Sequence, residues 1–192
     1  MLDKVLSAKY ILASKSPRRR HLLKQLGFDF QVVESNVKEV SGKIPHISVR
    51  TNAQRKSRTV AHNHKDRIII SADTVVYLNK RILNKPRNLK EAAKYLKMLS
   101  GKKHIVYTGV NVVNNITGKE RYGHEKTTVA FRKLTDEEIN YYINKFRPLD
   151  KAGAYGIQDD FGCLFIAKIT GDYYNVVGLP LVKLYNLIQA TF

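Results

Sequence analysis

Hydrophobic and polar positions along the chain follow two rhythms, one of strands and one of helices. Tyr10-Ile11-Leu12-Ala13 is a short unbroken apolar run, which predicts a buried strand. Ser16 then reads as an N-cap, Pro17 as the first helical residue and Gly27 as the stop, with Leu22, Leu23 and Leu26 on the buried face. Phe28 to Val33 alternates as a second strand, and Glu34 to Pro45 is a polar loop. A helix is expected from Ser48 to His62, followed by the apolar strand Ile68-Ile69-Ile70, which ends at Ser71-Ala72-Asp73-Thr74. Asn88 and Glu91 pair as N-cap and N3 of a helix that closes at Ser100-Gly101. Ile105 to Val113 and Arg121 to Phe131, joined by a turn at Asn114 to Gly118, form a long hairpin. Thr135 and Glu138 make a capping box for a helix through Phe146. A glycine-rich stretch, Lys151 to Gly162, precedes a strand at Leu164 to Ile169, and Pro180 opens a final amphipathic helix. This order, without internal repeats or low-complexity linkers, predicts a single α/β domain over residues 1–192, a mixed sheet flanked by helices.

Composition adds charge to this outline. Lysine and arginine number 34 against 16 acids, a formal net charge of +18. Such a field attracts polyanions, nucleotides as readily as nucleic acid. The cations are spread along the chain, with no basic tail, zinc finger or aromatic RNA-binding motif, so a general surface coating accounts for most of them. No apolar run approaches the roughly 20 residues of a membrane span, and the N-terminus lacks the layout of a secretory signal. A cytoplasmic protein that does not engage a membrane is expected. The single cysteine, Cys163, has no disulfide partner and no metal-motif neighbours; its apolar run predicts a buried structural thiol.

Candidate chemistry gathers at six places. Arg19 lies three and four residues before Leu22 and Leu23, so it shares the inward face of its helix, while Arg18 lies at the edge and Arg20 aligns with Lys24 outside. An inward arginine at a helix start faces the positive end of the dipole, which favours an anion there. Free N–H groups around Ser14 to Pro17 would complete a phosphate cradle; the alternative is a snorkelling arginine or a structural ion pair. Lys56 falls in the apolar stripe Val49, Ala53, Val60, where it is either a second inward cation or another snorkelling side chain. Asp73, at the expected end of an apolar strand, suits a general base or an oxygen ligand for Mg²⁺, or else is a turn aspartate. Glu39 offers a second oxygen ligand, Lys85 beside Pro86 a phosphate cation, and Gln158 a polar contact in the glycine-rich stretch; each also reads as ordinary surface polarity.

Taken in order, LASKSPRR at 12–19, Glu39, SADTVV at 71–76, LNKP at 83–86, LSGKKHIVYTGV at 99–110, KAGAYGIQ at 151–158 and ITGDYYNVVGLPL at 169–181 resemble the Maf family of nucleoside triphosphate pyrophosphatases. The resemblance implies a fold akin to inosine triphosphate pyrophosphatases, with two lobes around a cleft. It also implies hydrolysis between the α- and β-phosphates to nucleoside monophosphate and pyrophosphate, assisted by Mg²⁺ or Mn²⁺. Ser14, Arg18 and Arg19 would then contact phosphates with help from Lys56 and Lys85. Glu39 would bind metal, Asp73 would act as base or metal ligand, and Gln158 would bind nucleotide. Ala72-Asp73-Thr74 and Tyr155-Gly156-Ile157-Gln158 are similar to the branch preferring dTTP and UTP, with modified pyrimidine nucleotides in range. Alternatives are 7-methyl-GTP specificity and a nucleic-acid or cell-division binding protein using the basic surface; the enzyme reading does not require nucleic acid. A homodimer is a family-level expectation. Asn84, Ser57 and Asp159-Asp160 depart from the family's usual residues.

Overall fold

The computed structural model describes residues 1–158 and 161–192. After a short helix α1 (Leu2–Ser7), strand β1 (Tyr10–Leu12) enters the interior and helix α2 (Pro17–Gln25) leads to β2 (Phe30–Val32), parallel to β1. Helix α3 (Pro45–Ala61) then crosses to β3 (Ile68–Leu78), which pairs parallel with β1 on the other side. β3 runs well past the expected stop at Ser71 to Thr74, because the apolar residues Val75, Val76 and Leu78 keep it buried. It turns back through Asn79 and Lys80, both with left-handed φ, into β4 (Arg81–Leu83).

After helix α4 (Leu89–Leu99), β5 (Lys103–Asn114) and β6 (Lys119–Phe131) form the expected hairpin. Helix α5 (Asp136–Phe146) begins at the Thr135–Glu138 capping box, and β7 (Ile166–Thr170) adds the last edge. Helices α6 (Tyr173–Val177) and α7 (Leu181–Gln189) complete the chain. The seven-stranded mixed sheet has the order β2-β1-β3-β5-β6-β7, with β4 on β3.

The period-two rhythm of β3 sorts its side chains between two sets of helices. Ile68, Ile70 and Ala72 face a core built with Leu22 and Leu23 of α2 and Leu184 and Ile188 of α7. Ile69 faces Val60 and Ala61 of α3, and Ser71 on the same side donates to the Ala53 carbonyl at 2.7 Å. Farther along, Val76 and Leu78 enter a second core with α4, α5 and Phe165. Apolar packing thus gathers toward the two ends of β3, around Ile68 to Ala72 and around Val76 and Leu78, with a cleft between, and this is the form taken by the two expected lobes.

Three short elements escaped the pattern of the sequence: α1, β4 and α6. None is long enough to show a hydrophobic period. The strand expected from Leu164 starts instead at Ile166, since residues Phe161–Phe165 wind as a 3-10 turn. That turn leaves Cys163 exposed, which corrects the expectation of a buried thiol. No helix among the described residues is long and apolar enough to cross a membrane.

Candidate active site

The site arises from an interruption in strand pairing. β1 pairs with β3 only over Ile68 to Ile70, and β4 pairs with it only over Val76 to Leu78. Between them, residues 71–75 of β3 keep β5 on one side and, among the described residues, have no strand on the other. Asp73 therefore lies in mid-strand, paired with Gly109 of β5, rather than at a strand end; what ends near it is the pairing of one edge. A cleft of about 670 Å³ opens at this gap.

Arg19 closes part of the gap. Its Nη1 donates to the Ala72 carbonyl at 2.8 Å and to Ser14 Oγ at 3.2 Å, its Nη2 to Thr74 Oγ1 at 2.9 Å, and its Nε to the Gly178 carbonyl at 2.7 Å. Gly178 stands at φ +117 to end α6. Burial pushes the Arg19 guanidinium down to about 10, and nearby Asp73 opposes that shift. A guanidinium has five N–H donors, and these contacts engage four of them. In the free protein Arg19 is thus a bracket between α2, β3 and the α6 terminus, with its remaining Nη2 proton unclaimed among the described residues.

At the same helix start, Ser16 caps the Arg19 N–H, and Ser14 Oγ accepts from the Ser16 N–H. The N–H groups of Ser14, Lys15 and Arg18 have no protein acceptor among the described residues. That is the donor set an anion uses at a helix N-terminus. Arg18 spans the cleft to Asp150, with Nη1 2.9 Å from Oδ2.

Across the gap, α3 presents Asn52 and Lys56, one helical turn apart, to Asp73. Lys56 Nζ lies 2.7 Å from Asp73 Oδ1 and 2.6 Å from Glu39 Oε1. Asn52 Nδ2 donates to Asp73 Oδ2 at 2.9 Å. The same amide pairs with the backbone of Val40 through both its groups, at 2.8 and 3.0 Å, and so ties the Glu39 loop to α3. Burial raises the Asp73 pKa above its ordinary value; Lys56 pulls it down, and Glu39 pushes it up. For Glu39, burial acts upward, but the Lys56 charge and hydrogen bond, with Lys85 and Arg19, bring the net shift below the ordinary value. Lys85 is more than half exposed and 3.9 Å from Glu39.

Residues 9–191 match the family model described as Maf-like protein. The chain belongs to the Maf family. It is 47% identical over 186 residues to a dTTP/UTP pyrophosphatase of Caldanaerobacter subterraneus subsp. tengcongensis, covering 96% of this chain and 89% of that one. The same identity holds over 183 residues to a dTTP/UTP pyrophosphatase of Bacillus cereus strain G9842, covering 94% of each. Among solved structures, a nucleoside-triphosphatase, dITP/XTP pyrophosphatase, of Mycobacterium abscessus superposes with TM-score 0.44 at 15% identity, over 74% of this chain and 97% of that one. The Ham1 protein of Staphylococcus aureus gives TM-score 0.48 at 12% identity, over 64% and 71%. These are loose, partial overlaps.

In this Maf chain, Ser14, Arg18, Arg19, Glu39, Lys56, Asp73 and Lys85 all line the one cleft. Gln158 does not line it. The half-buried Gln158 follows Gly156 and Ile157, which do, and adjoins Asp159-Asp160, which lie outside the described residues. The other two departures from family residues have local partners. Ser57 accepts from Asn111 Nδ2 at 2.7 Å, and Asn84 donates to Ser41 Oγ at 2.8 Å, joining the Glu39 loop to the Lys85 loop.

Asn52, Thr74 and Asp150 are site residues that the sequence reading did not single out. Asn52 was within reach of it, since it sits four residues before Lys56. The Arg18–Asp150 pair spans 132 positions, and no local spacing announces it.

The donor set suits a hard divalent cation in part. Mg²⁺ and Mn²⁺ prefer oxygen, and Mg²⁺ is often held by one or two carboxylates with the remainder from substrate phosphates and water. Glu39 and Asp73 converge on a single point, now that of Lys56 Nζ. Among the described residues, no group of three or more histidine, cysteine or acidic side chains forms a self-sufficient metal cage. Two carboxylates with substrate oxygens fit the cation; a protein-only site does not.

Proposed function

We propose that this chain hydrolyses dTTP and UTP at the α–β phosphoanhydride in the cytoplasm, releasing nucleoside monophosphate and pyrophosphate. One observation carries the reading. A buried carboxylate, Asp73, sits between Lys56 and Asn52 in the same cleft as the open helix start of α2 and the cations Arg18, Arg19 and Lys85. The names of the relatives at 47% identity supply the substrate class.

In this mechanism the triphosphate lies along the α2 start, where the N–H groups of Ser14, Lys15 and Arg18 and the Arg18 side chain meet its anionic oxygens. Arg18 exchanges Asp150 for phosphate. Arg19, already held by four protein contacts, shapes the cradle and offers its remaining donor. A divalent cation held by Glu39 and Asp73 would supply electrostatic relief of the charge that builds on the phosphates. Asp73 takes the proton from the attacking water as the α–β bridge breaks. In the free protein burial raises its pKa, the direction a general base needs, and a cation on the same carboxylate would oppose that shift.

The decisive assay measures pyrophosphate release from dTTP, UTP, CTP and 7-methyl-GTP with Mg²⁺ or Mn²⁺, in wild type and Asp73→Asn. Pyrimidine turnover is expected, falling by at least about 100-fold in the variant, the usual scale of a general base. Orthophosphate instead of pyrophosphate would show that the wrong bond is assigned. Preference for 7-methyl-GTP would move the chain to the other substrate branch. Absence of all turnover, with tight salt-sensitive DNA binding, would replace the enzyme by a nucleic-acid binder.

A further inference from the structure

The ammonium of Lys56 bonds to one oxygen of each carboxylate that a cation would use, Glu39 Oε1 and Asp73 Oδ1. Asp73 cannot simply turn its other oxygen to a newcomer. Oδ2 is held by Asn52, whose amide is locked to the Val40 backbone. Among the described residues no third acid or histidine completes a cluster here, so no second set of anionic ligands stands ready beside the first. A divalent ion added without removing the ammonium would put three positive charges against two carboxylates in a pocket where Asp73 and Lys56 are buried.

We infer that Lys56 is a built-in competitor for the metal. Its ammonium bridges the Glu39–Asp73 pair in the resting protein, offsetting one of the two negative charges, and leaves when the cation enters. The inference rests on the metal-assisted reading above and deepens it. The flexible four-carbon stem lets the charge move while α3 stays in place. A triphosphate in the cleft gives the displaced ammonium a new anionic partner. Metal alone therefore binds weakly, metal with nucleotide binds tightly, and by linkage each raises the affinity of the other. Lys56 is in this sense the element that couples the two ligands.

The test compares Mn²⁺ binding to wild type, Lys56→Met and Lys56→Gln by calorimetry and by the EPR signal of free Mn²⁺, without nucleotide. Both variants are expected to bind Mn²⁺ about tenfold or more tightly than wild type, although each loses turnover. Their melting temperatures should be low in EDTA and rise more on adding Mn²⁺ than that of wild type, as linkage requires. In the unaltered protein, the side-chain ¹H–¹⁵N signal of the Lys56 ammonium should shift or vanish when Mg²⁺ alone is added to saturation. That measurement decides the matter should both variants fail to fold. Equal or weaker Mn²⁺ binding in folded variants, or an unmoved ammonium signal at saturating Mg²⁺, would overturn the competitor role. A wild type that hydrolyses dTTP in a metal-dependent way alongside either result would leave the functional reading intact. A wild type with no pyrophosphatase activity under any metal would instead remove that reading itself.

Discussion

At the scale of single residues, Asn52 shows how little of a site is written in local spacing. Its amide makes three hydrogen bonds, two to Val40 and one to Asp73, while only 3% of its surface is exposed. Leucine keeps the branching at Cγ, with bulkier methyl groups and none of the polar atoms. Asn52→Leu would strand a carboxylate oxygen and a backbone N–H and carbonyl in a buried place, each uncompensated. Loss of a hydrogen bond to a charged group is worth about 1.5–3 kcal/mol, so kcat/KM is expected to fall about 10- to 100-fold. Steady-state kinetics check this, with thermal melting to separate damage to the fold. Activity within twofold of wild type would show that Asp73 keeps its place without the amide. Arg19 and Lys56 carry a related lesson. Spacing put both on inward faces, correctly. It left open whether each grips substrate or protein, and in the free molecule both grip protein. The difference lies mostly in contacts from 17 to 159 positions away in sequence, which no helical or strand period encodes.

At the scale of elements, legibility followed length and chemistry. The α4 and α5 caps, the β5–β6 hairpin and the order of the major helices and strands were all readable, because each has a period or a turn residue with a mechanism. α1, β4 and α6 span six, three and five residues and have neither. The glycine-rich segment was visible as a loop, but not the contact that fastens it. Gly153, at φ +69, packs where a Cβ would meet Val76 at 2.9 Å, and Tyr155 then reaches His104 on β5, Nε2 to Oη 2.7 Å. Burial pushes His104 down to about 4, so it stays neutral in the folded protein at pH values where the unfolded chain has protonated it. The unfolded state then binds the extra proton between pH 6.5 and about 4, and stability falls as pH falls through that window. The full loss from this residue is on the order of 3 kcal/mol. Denaturant unfolding across pH 7 to 4 should show the slope in wild type and a shallower one in His104→Gln. Equal slopes would mean that the acid sensitivity comes from elsewhere.

At the scale of the whole molecule, the +18 charge and the cleft act over different ranges. Inside the cleft, Arg18 pairs with Asp150 and Lys56 with Asp73 and Glu39 in the free protein, while Lys85 lies 3.9 Å from Glu39. The unbalanced charge is mainly outside, and it pulls on a triphosphate before contact. Screening reaches about 10 Å at 0.1 M salt, so only exposed cations near the entrance should affect capture strongly. Arg20 and Lys24 are the natural probes, since they lie on the exposed face of α2 while the cleft uses the start of that helix. Steering speeds encounter without touching the chemical step. Raising KCl from 50 to 300 mM should lower kcat/KM for dTTP by roughly three- to tenfold and alter kcat by less than about twofold. Arg20→Glu with Lys24→Glu should lower kcat/KM at low salt and flatten that dependence, while kcat holds. Stopped-flow nucleotide binding at several salt concentrations separates the association rate from turnover. A salt-independent association rate would reduce the basic surface to a coating with no part in capture, while an equal fall in kcat would place the salt effect inside the cleft, on pairs such as Arg18–Asp150.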